Sequence, residues 1–251
     1  MAKGTKFAYF KSTKHPFYGF LSVLPVLVFY ELIALNLNQN EQFGIRNAAD
    51  VLLKEFVFRQ LMSWFGIHRL FAYGLVILIV LSIIFWKKYK SDDLSIRAGY
   101  FIGMFLESLA YAFFLGPVVS RLTFILQFQL LNLSITPMQL DLPHQVMLSL
   151  GAGFYEELFF RVILLSGSAY VFMKLLNLNK TSSFILAALI SSVAFSYFHY
   201  IGPLADTLTL QSFMFRFFAG IFFAILYVLR GFGIVVYTHA LYDLMLVLYG
   251  V

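Results

Sequence analysis

Cysteine is absent from all 251 residues, which excludes disulfides, thiolate chemistry and any cysteine-ligated metal. Charge is scarce too. Asp, Glu, Lys and Arg together make up 12% of the chain, against about 25% in soluble globular domains. No internal repeat and no low-complexity linker divides the chain, so the simplest organisation is one membrane domain. Small-residue cleavage signals are also missing after the first apolar stretch, which therefore reads as a spanning helix, not as a removable leader.

Apolar side chains are what fill the sequence: 61% of residues are hydrophobic and 19% aromatic, and the mean hydropathy is +0.84. Long apolar runs recur at 17–35, 69–86, 98–117, 146–172, 183–201, 213–229 and 234–250. Each is close to the length of about 20 residues that a helix needs to cross a bilayer. The expected fold is all-α, a polytopic transmembrane helix bundle of about seven helices, with six to eight as the range. Residues 118–143 are apolar but broken by polar residues and two prolines, and are expected to be interfacial or re-entrant. The mixed segment 36–68 is expected to form a surface helix. Within the single domain, 1–143 supplies the N-terminal helices and interfacial segments, and 144–251 supplies the chemically distinctive helices.

The net charge of +6 reflects topology, and no nucleic-acid partner is expected. With the N-terminus in the cytoplasm, the inner side holds eleven Lys and Arg residues and the outer side five, while Arg161 and Arg216 fall inside spans. That bias supports an N-in, C-out multi-pass protein, in the cell membrane if the source is bacterial.

Ionisable groups at membrane depth cost about 2.5–3.5 kcal/mol each on insertion scales, and they persist where they face a protein interior or a wet cavity. Here they cluster in the second half of the chain: Glu156, Glu157 and Arg161 in GAGFYEELFFR, His199 after AFSYF, and His239 with Asp243 in YTHALYD. Glu31 and Glu107 are further acids in or near spans; Glu107 is expected to make a polar helix contact, and Arg216 to snorkel outward. Glu157 and Arg161 are i,i+4 in the favoured order for an ion pair. Glu156 lies about 100° further round the helix and is the freer carboxylate. His239 and Asp243 are i,i+4 as well.

Register relates two of the helices. In an antiparallel pair, residues equidistant from the turn lie at equal depth, and positions 156 and 199 are centred on 177.5, at the connection between their spans. Glu156 and His199 are therefore expected to face each other. For His239 to join them, the turn before it, at Gly231 to Gly233, has to be sunken or the helices strongly tilted.

A carboxylate beside a histidine in a restricted cavity has the parts of a general base acting on water, and His239, fixed by Asp243, supplies a donor to a developing oxyanion. Zinc held by Glu156, His199 and His239 is the alternative, but no H-E-x-x-H is present, and metal-free chemistry without a cofactor is favoured.

Glu156-Glu157-x-x-x-Arg161, Phe195-x-x-x-His199 and His239-Ala240-x-x-Asp243, in that order over residues 145–250, resemble the three motifs of the CPBP family, the intramembrane CAAX prenyl proteases and their bacteriocin-processing (Abi) relatives. The resemblance implies an intramembrane endopeptidase. Glu156 would be the base with His199 as its partner, His239 and Asp243 would stabilise the oxyanion, and Glu157, Arg161 and Phe195 would support them. Its partners would be membrane lipid and a peptide or protein substrate, possibly lipidated. One departure is Asp243, where the family commonly has Asn; an ionised Asp only accepts hydrogen bonds. The competing expectation, from another class, is a non-catalytic scaffold or a proton or solute translocator using the same polar cluster, although transporters usually carry broken spans in both halves.

Overall fold

A computed structural model describes residues 3–38, 45–54, 96–126, 140–202 and 204–249, together with 79, 82 and 83. The described residues form eight helices and no strand: α1 (Lys3–Thr13), α2 (Pro16–Leu37), the short α3 (Ala48–Val51), α4 (Ala98–Leu126), α5 (Leu142–Leu175), α6 (Lys180–Phe198), α7 (Leu210–Arg230) and α8 (Phe232–Tyr249). All except α1 and α3 are long and apolar enough to cross a membrane. The expected span 69–86 lies outside the described residues apart from those three positions.

Local sequence sets the helix ends. Asp141, Asn179 and Thr209 each accept a backbone N–H from three residues on, as N-caps of α5, α6 and α7. Asn177, at φ 51°, closes the turn between α5 and α6. Gly231, at φ 87°, separates α7 from α8 with a backbone conformation that L side chains rarely adopt.

Two expectations about the segments between spans are corrected. Residues 118–126, read as interfacial or re-entrant, continue α4 as helix through Pro117; a membrane helix tolerates proline where neighbours satisfy the freed backbone groups, and 127–139 lie outside the described residues. Of the expected surface helix 36–68, residues 45–54 bury one face, with Asp50 and Lys54 fully buried and Asn47 and Leu53 nearly so, while Ala48 and Val51 stay exposed. Burial is possible there because the charges pair with one another.

The last helix, α8, lies at the centre and packs on α2, α4, α5 and α7. One core gathers Met104, Leu115, Phe160, Phe195 and Phe223, and a second gathers Val23, Leu27, Tyr30, Phe154 and Val236. Ile102, Phe113, Phe124, Ile185 and Ile225 face outward, as lipid-facing positions do. The turn before α8 is overlain by α1: buried Arg230 donates to Phe10 O at 3.3 Å and Thr13 Oγ1 at 3.0 Å, and a side chain at Gly231 would meet Lys14 O. The same guanidinium pairs with Glu107 at 2.5 Å, which is the helix contact expected of that acid. His239, about two turns beyond Gly231, reaches Glu157.

Candidate active site

The polar stretch of α5 departs from regular α-helix. Ala152–Glu156 and Leu158–Leu165 wind as π-helix, a geometry frequent at functional sites. Carbonyls along it find partners in hydroxyls: Ser191 of α6 donates to Phe160 O at 2.7 Å, and Ser166 donates to Arg161 O at 3.0 Å. Gly153 lets α8 come close, since a Cβ there would stand 2.6 Å from Ala240 Cβ and 2.8 Å from Val236 O.

That close approach brings Glu157 to His239. Glu157, fully buried, sets Oε2 3.0 Å from Arg161 Nε and accepts from His239 Nδ1 on Oε1 at 2.7 Å. Arg161 is itself fully buried; it lies 4.5 Å over the Phe195 ring and 5.4 Å from that of Phe223, and donates from Nη2 to Gly220 O at 3.3 Å. His239 stacks on Phe223 at 4.4 Å and 25°. The pairing of Glu157 with Arg161 follows their spacing, but the orienter of His239 differs from expectation. Asp243 Oδ2 stands 3.6 Å from Nε2 of the ring, beyond normal hydrogen-bond reach, while Glu157 holds Nδ1. The tight crossing at Gly153 lets a neighbouring helix outcompete the residue one turn along.

Glu156 turns the other way. Its Oε1 accepts from Asn47 Nδ2 at 2.8 Å, and its Oε2, buried and without a hydrogen-bond partner among the described residues, lies 3.9 Å from His199 Nε2. His199 caps α6, and its Nδ1 lies 2.8 Å from Phe195 O. A carbonyl only accepts, so Nδ1 carries the proton. With the ring neutral, Nε2 and Glu156 Oε2 are two acceptors facing one another, an arrangement that suits a molecule with two donors, and water is one.

Phe195 stands between the two halves, edge-on to His199 at 4.9 Å and to His239 at 5.8 Å. The residues after His199 are tied down as well. Asp206 N–H donates to His199 O at 3.0 Å, and its carboxylate pairs with Arg216, which also reaches Ser212 and Tyr200. Arg216 thus reaches from α7 to Asp206 and anchors the loop after His199.

The seven site residues named from sequence, Glu156, Glu157, Arg161, Phe195, His199, His239 and Asp243, come together on α5, α6 and α8. Asn47 and Phe223 were missed. Asn47 sits 109 positions from its partner, in a segment whose charges suggested a surface. Phe223 is one of 31 phenylalanines with nothing to set it apart. Among the described residues, no group of three or more His, Asp or Glu is gathered closely enough to hold a metal ion.

No curated protein and no solved structure matches the chain. Residues 138–245 match the family model Rce1-like, described as type II CAAX prenyl endopeptidase Rce1-like. That segment, which holds every residue of the cluster except Asn47, is similar to the type II CAAX prenyl endopeptidases of the Rce1-like family, and six helices long and apolar enough to cross a bilayer mark the chain as an integral membrane protein.

Proposed function

We propose that Glu156 and His199 activate a water molecule for attack on a peptide bond of a membrane-associated, prenylated substrate. The observation that carries this reading is the opposition of the partnerless Glu156 Oε2 and His199 Nε2 at 3.9 Å. A water donating one hydrogen to each has its lone pairs directed away from both, toward an incoming carbonyl carbon. As the C–O bond forms, the water proton passes to Glu156; as the C–N bond breaks, the same proton passes to the leaving amine.

The negative charge that develops on the carbonyl oxygen falls to His239. Both ring nitrogens face carboxylate oxygens, Glu157 at 2.7 Å and Asp243 at 3.6 Å. Glu157 accepts from Nδ1–H, and a ring protonated on Nε2 as well has that N–H uncommitted, since Asp243 stands beyond hydrogen-bond reach. The Nε2–H is the donor left for the oxyanion, and the loose Asp243 contact leaves room for a substrate oxygen to take its place. Fixed donors of this type are worth about 2.7–4 kcal/mol in the transition state. Phe195 and Arg161 hold the two halves in register. This scheme is of the glutamic type and routes no step through metal.

The test uses purified full-length protein in lipid vesicles and an internally quenched, farnesylated peptide ending in a CAAX sequence. Wild type is expected to cleave the peptide, while Glu156→Gln, inserted and melting like wild type, is expected to be inactive. Cleavage by Glu156→Gln at a rate near wild type would sink the role given to Glu156, and no cleavage by wild type would favour the scaffold or translocator reading.

A further inference from the structure

Glu156 carries two oxygens of which one is spoken for, and what claims it comes from the other half of the chain. Asn47 is the N-cap of α3: its Oδ1 accepts from Ala49 N–H at 2.9 Å. That bond settles the orientation of the amide, so the group directed at Glu156 Oε1, 2.8 Å away, is the NH2 donor. The segment bearing Asn47 is pinned by a ladder of charges at i, i+4 and i+8. Arg46 lies 3.0 Å from Asp50, and Asp50 lies 2.7 Å from Lys54.

The ladder is closed by α2 and α5. Lys54 pairs with Glu31 at 2.5 Å, and Tyr155, the residue before Glu156, donates to the same Glu31 oxygen. Tyr30 donates to Asp50 at 2.6 Å while accepting from Asn47 N–H at 3.3 Å. Two acids and two bases cancel, which is the condition under which charges survive burial. Backbone fit adds a third constraint: a Cβ on Gly151 would stand 2.8 Å from Asn47 Cβ and 2.6 Å from the Tyr30 ring, so only glycine lets α5 approach the segment this closely.

Buried ion pairs often contribute little to stability relative to apolar packing. An arrangement this elaborate is better explained by what it orients. We infer that Asn47 is a positioning residue for Glu156: it takes Oε1 so that Oε2 alone is presented to His199, and the Arg46–Asp50–Lys54 ladder holds Asn47 in place. The inference rests on the reading of Glu156 as the base, and it assigns part of the site to residues outside the family match at 138–245.

Two substitutions separate positioning from mere support of the fold. Asn47→Ser and Asn47→Asp both keep a good N-cap for α3; serine is too short to reach Glu156, and aspartate offers an acceptor where a donor is needed. Asn47→Ser is expected to melt like wild type and Asn47→Asp to melt lower, because two carboxyl groups then face each other in a buried site; both are expected to keep KM for the farnesylated CAAX peptide within threefold and to lose about a hundredfold in kcat, the scale of effect of about 1 Å of misplacement. A second readout needs no turnover: in infrared spectra of protein with 13C-labelled glutamate, the carboxylate band that disappears in Glu156→Gln is expected to shift in both Asn47 variants. A kcat within threefold of wild type, a loss seen only in KM, or an unmoved Glu156 band in either variant overturns the inference. If the wild-type enzyme cleaves no peptide, the reading of Glu156 as base fails by itself, and the infrared band alone decides whether Asn47 holds that carboxylate.

Discussion

Adding one methyl group at Gly153 is expected to disable the enzyme without touching any polar side chain. The Cβ of Gly153→Ala would lie 2.6 Å from Ala240 Cβ and 2.8 Å from Val236 O, whereas carbon atoms in contact prefer about 3.5–4.0 Å. Relief requires α5 and α8 to separate by about 1 Å. The Glu157 to His239 contact, 2.7 Å in the native arrangement, then opens to about 3.7 Å, outside hydrogen-bond range. Overpacking of this kind costs about 1–3 kcal/mol, which leaves a membrane bundle folded, while loss of the oxyanion donor's alignment costs about a hundredfold in kcat. Gly167→Ala is the control, because nothing lies within 4 Å of a Cβ there; it should cleave normally and melt no lower than wild type, since alanine exceeds glycine in helix interiors by about 1 kcal/mol. Placing Ala240→Gly in the Gly153→Ala background should recover part of the rate, as the clash with Val236 O persists. Peptide cleavage by Gly153→Ala at the wild-type rate would refute the claim that the tight α5–α8 crossing sets the geometry.

Arg161→Met removes the cation 3.0 Å from the fully buried Glu157 carboxylate, and breaking a buried pair from one side costs about 3–5 kcal/mol; thermal unfolding in vesicles should show a marked drop, and the double change Arg161→Met with Glu157→Leu should melt higher than Arg161→Met alone. Because the chain has no cysteine, single cysteines report topology directly: with the N-terminus in the cytoplasm, Lys6→Cys and Lys174→Cys are shielded from an impermeant maleimide added to intact cells, and Asp206→Cys is labelled. The reverse pattern would invert the proposed orientation.

Much of the spanning architecture was legible, because a bilayer imposes length and apolarity on each crossing helix and hydropathy reads both. Depth within a helical hairpin was legible too. The centring of positions 156 and 199 on the α5–α6 turn put their side chains within 3.9 Å. The segment between spans was not legible: 45–54 carries Arg46, Asp50 and Lys54 and so resembles a solvated face, and only the tertiary neighbours Glu31, Tyr30 and Tyr155 explain why those charges are inside. His239 misled for a related reason. Spacing along α8 identifies Asp243 as the nearest acid, but the π-helical turn and Gly153 of α5 let Glu157 arrive from 82 positions away. Neither device leaves a periodic trace in the sequence.

The central claim is that Glu156 and His199 act as one unit on one water, and a double-mutant cycle on kcat tests it most directly. Groups that act together are grossly non-additive. Glu156→Gln combined with His199→Ala is expected to be no slower toward the farnesylated CAAX peptide than the slower of the two single variants. Losses that multiply, with the double variant slower than either by the product of the two single effects, would mean that the two side chains serve separate steps.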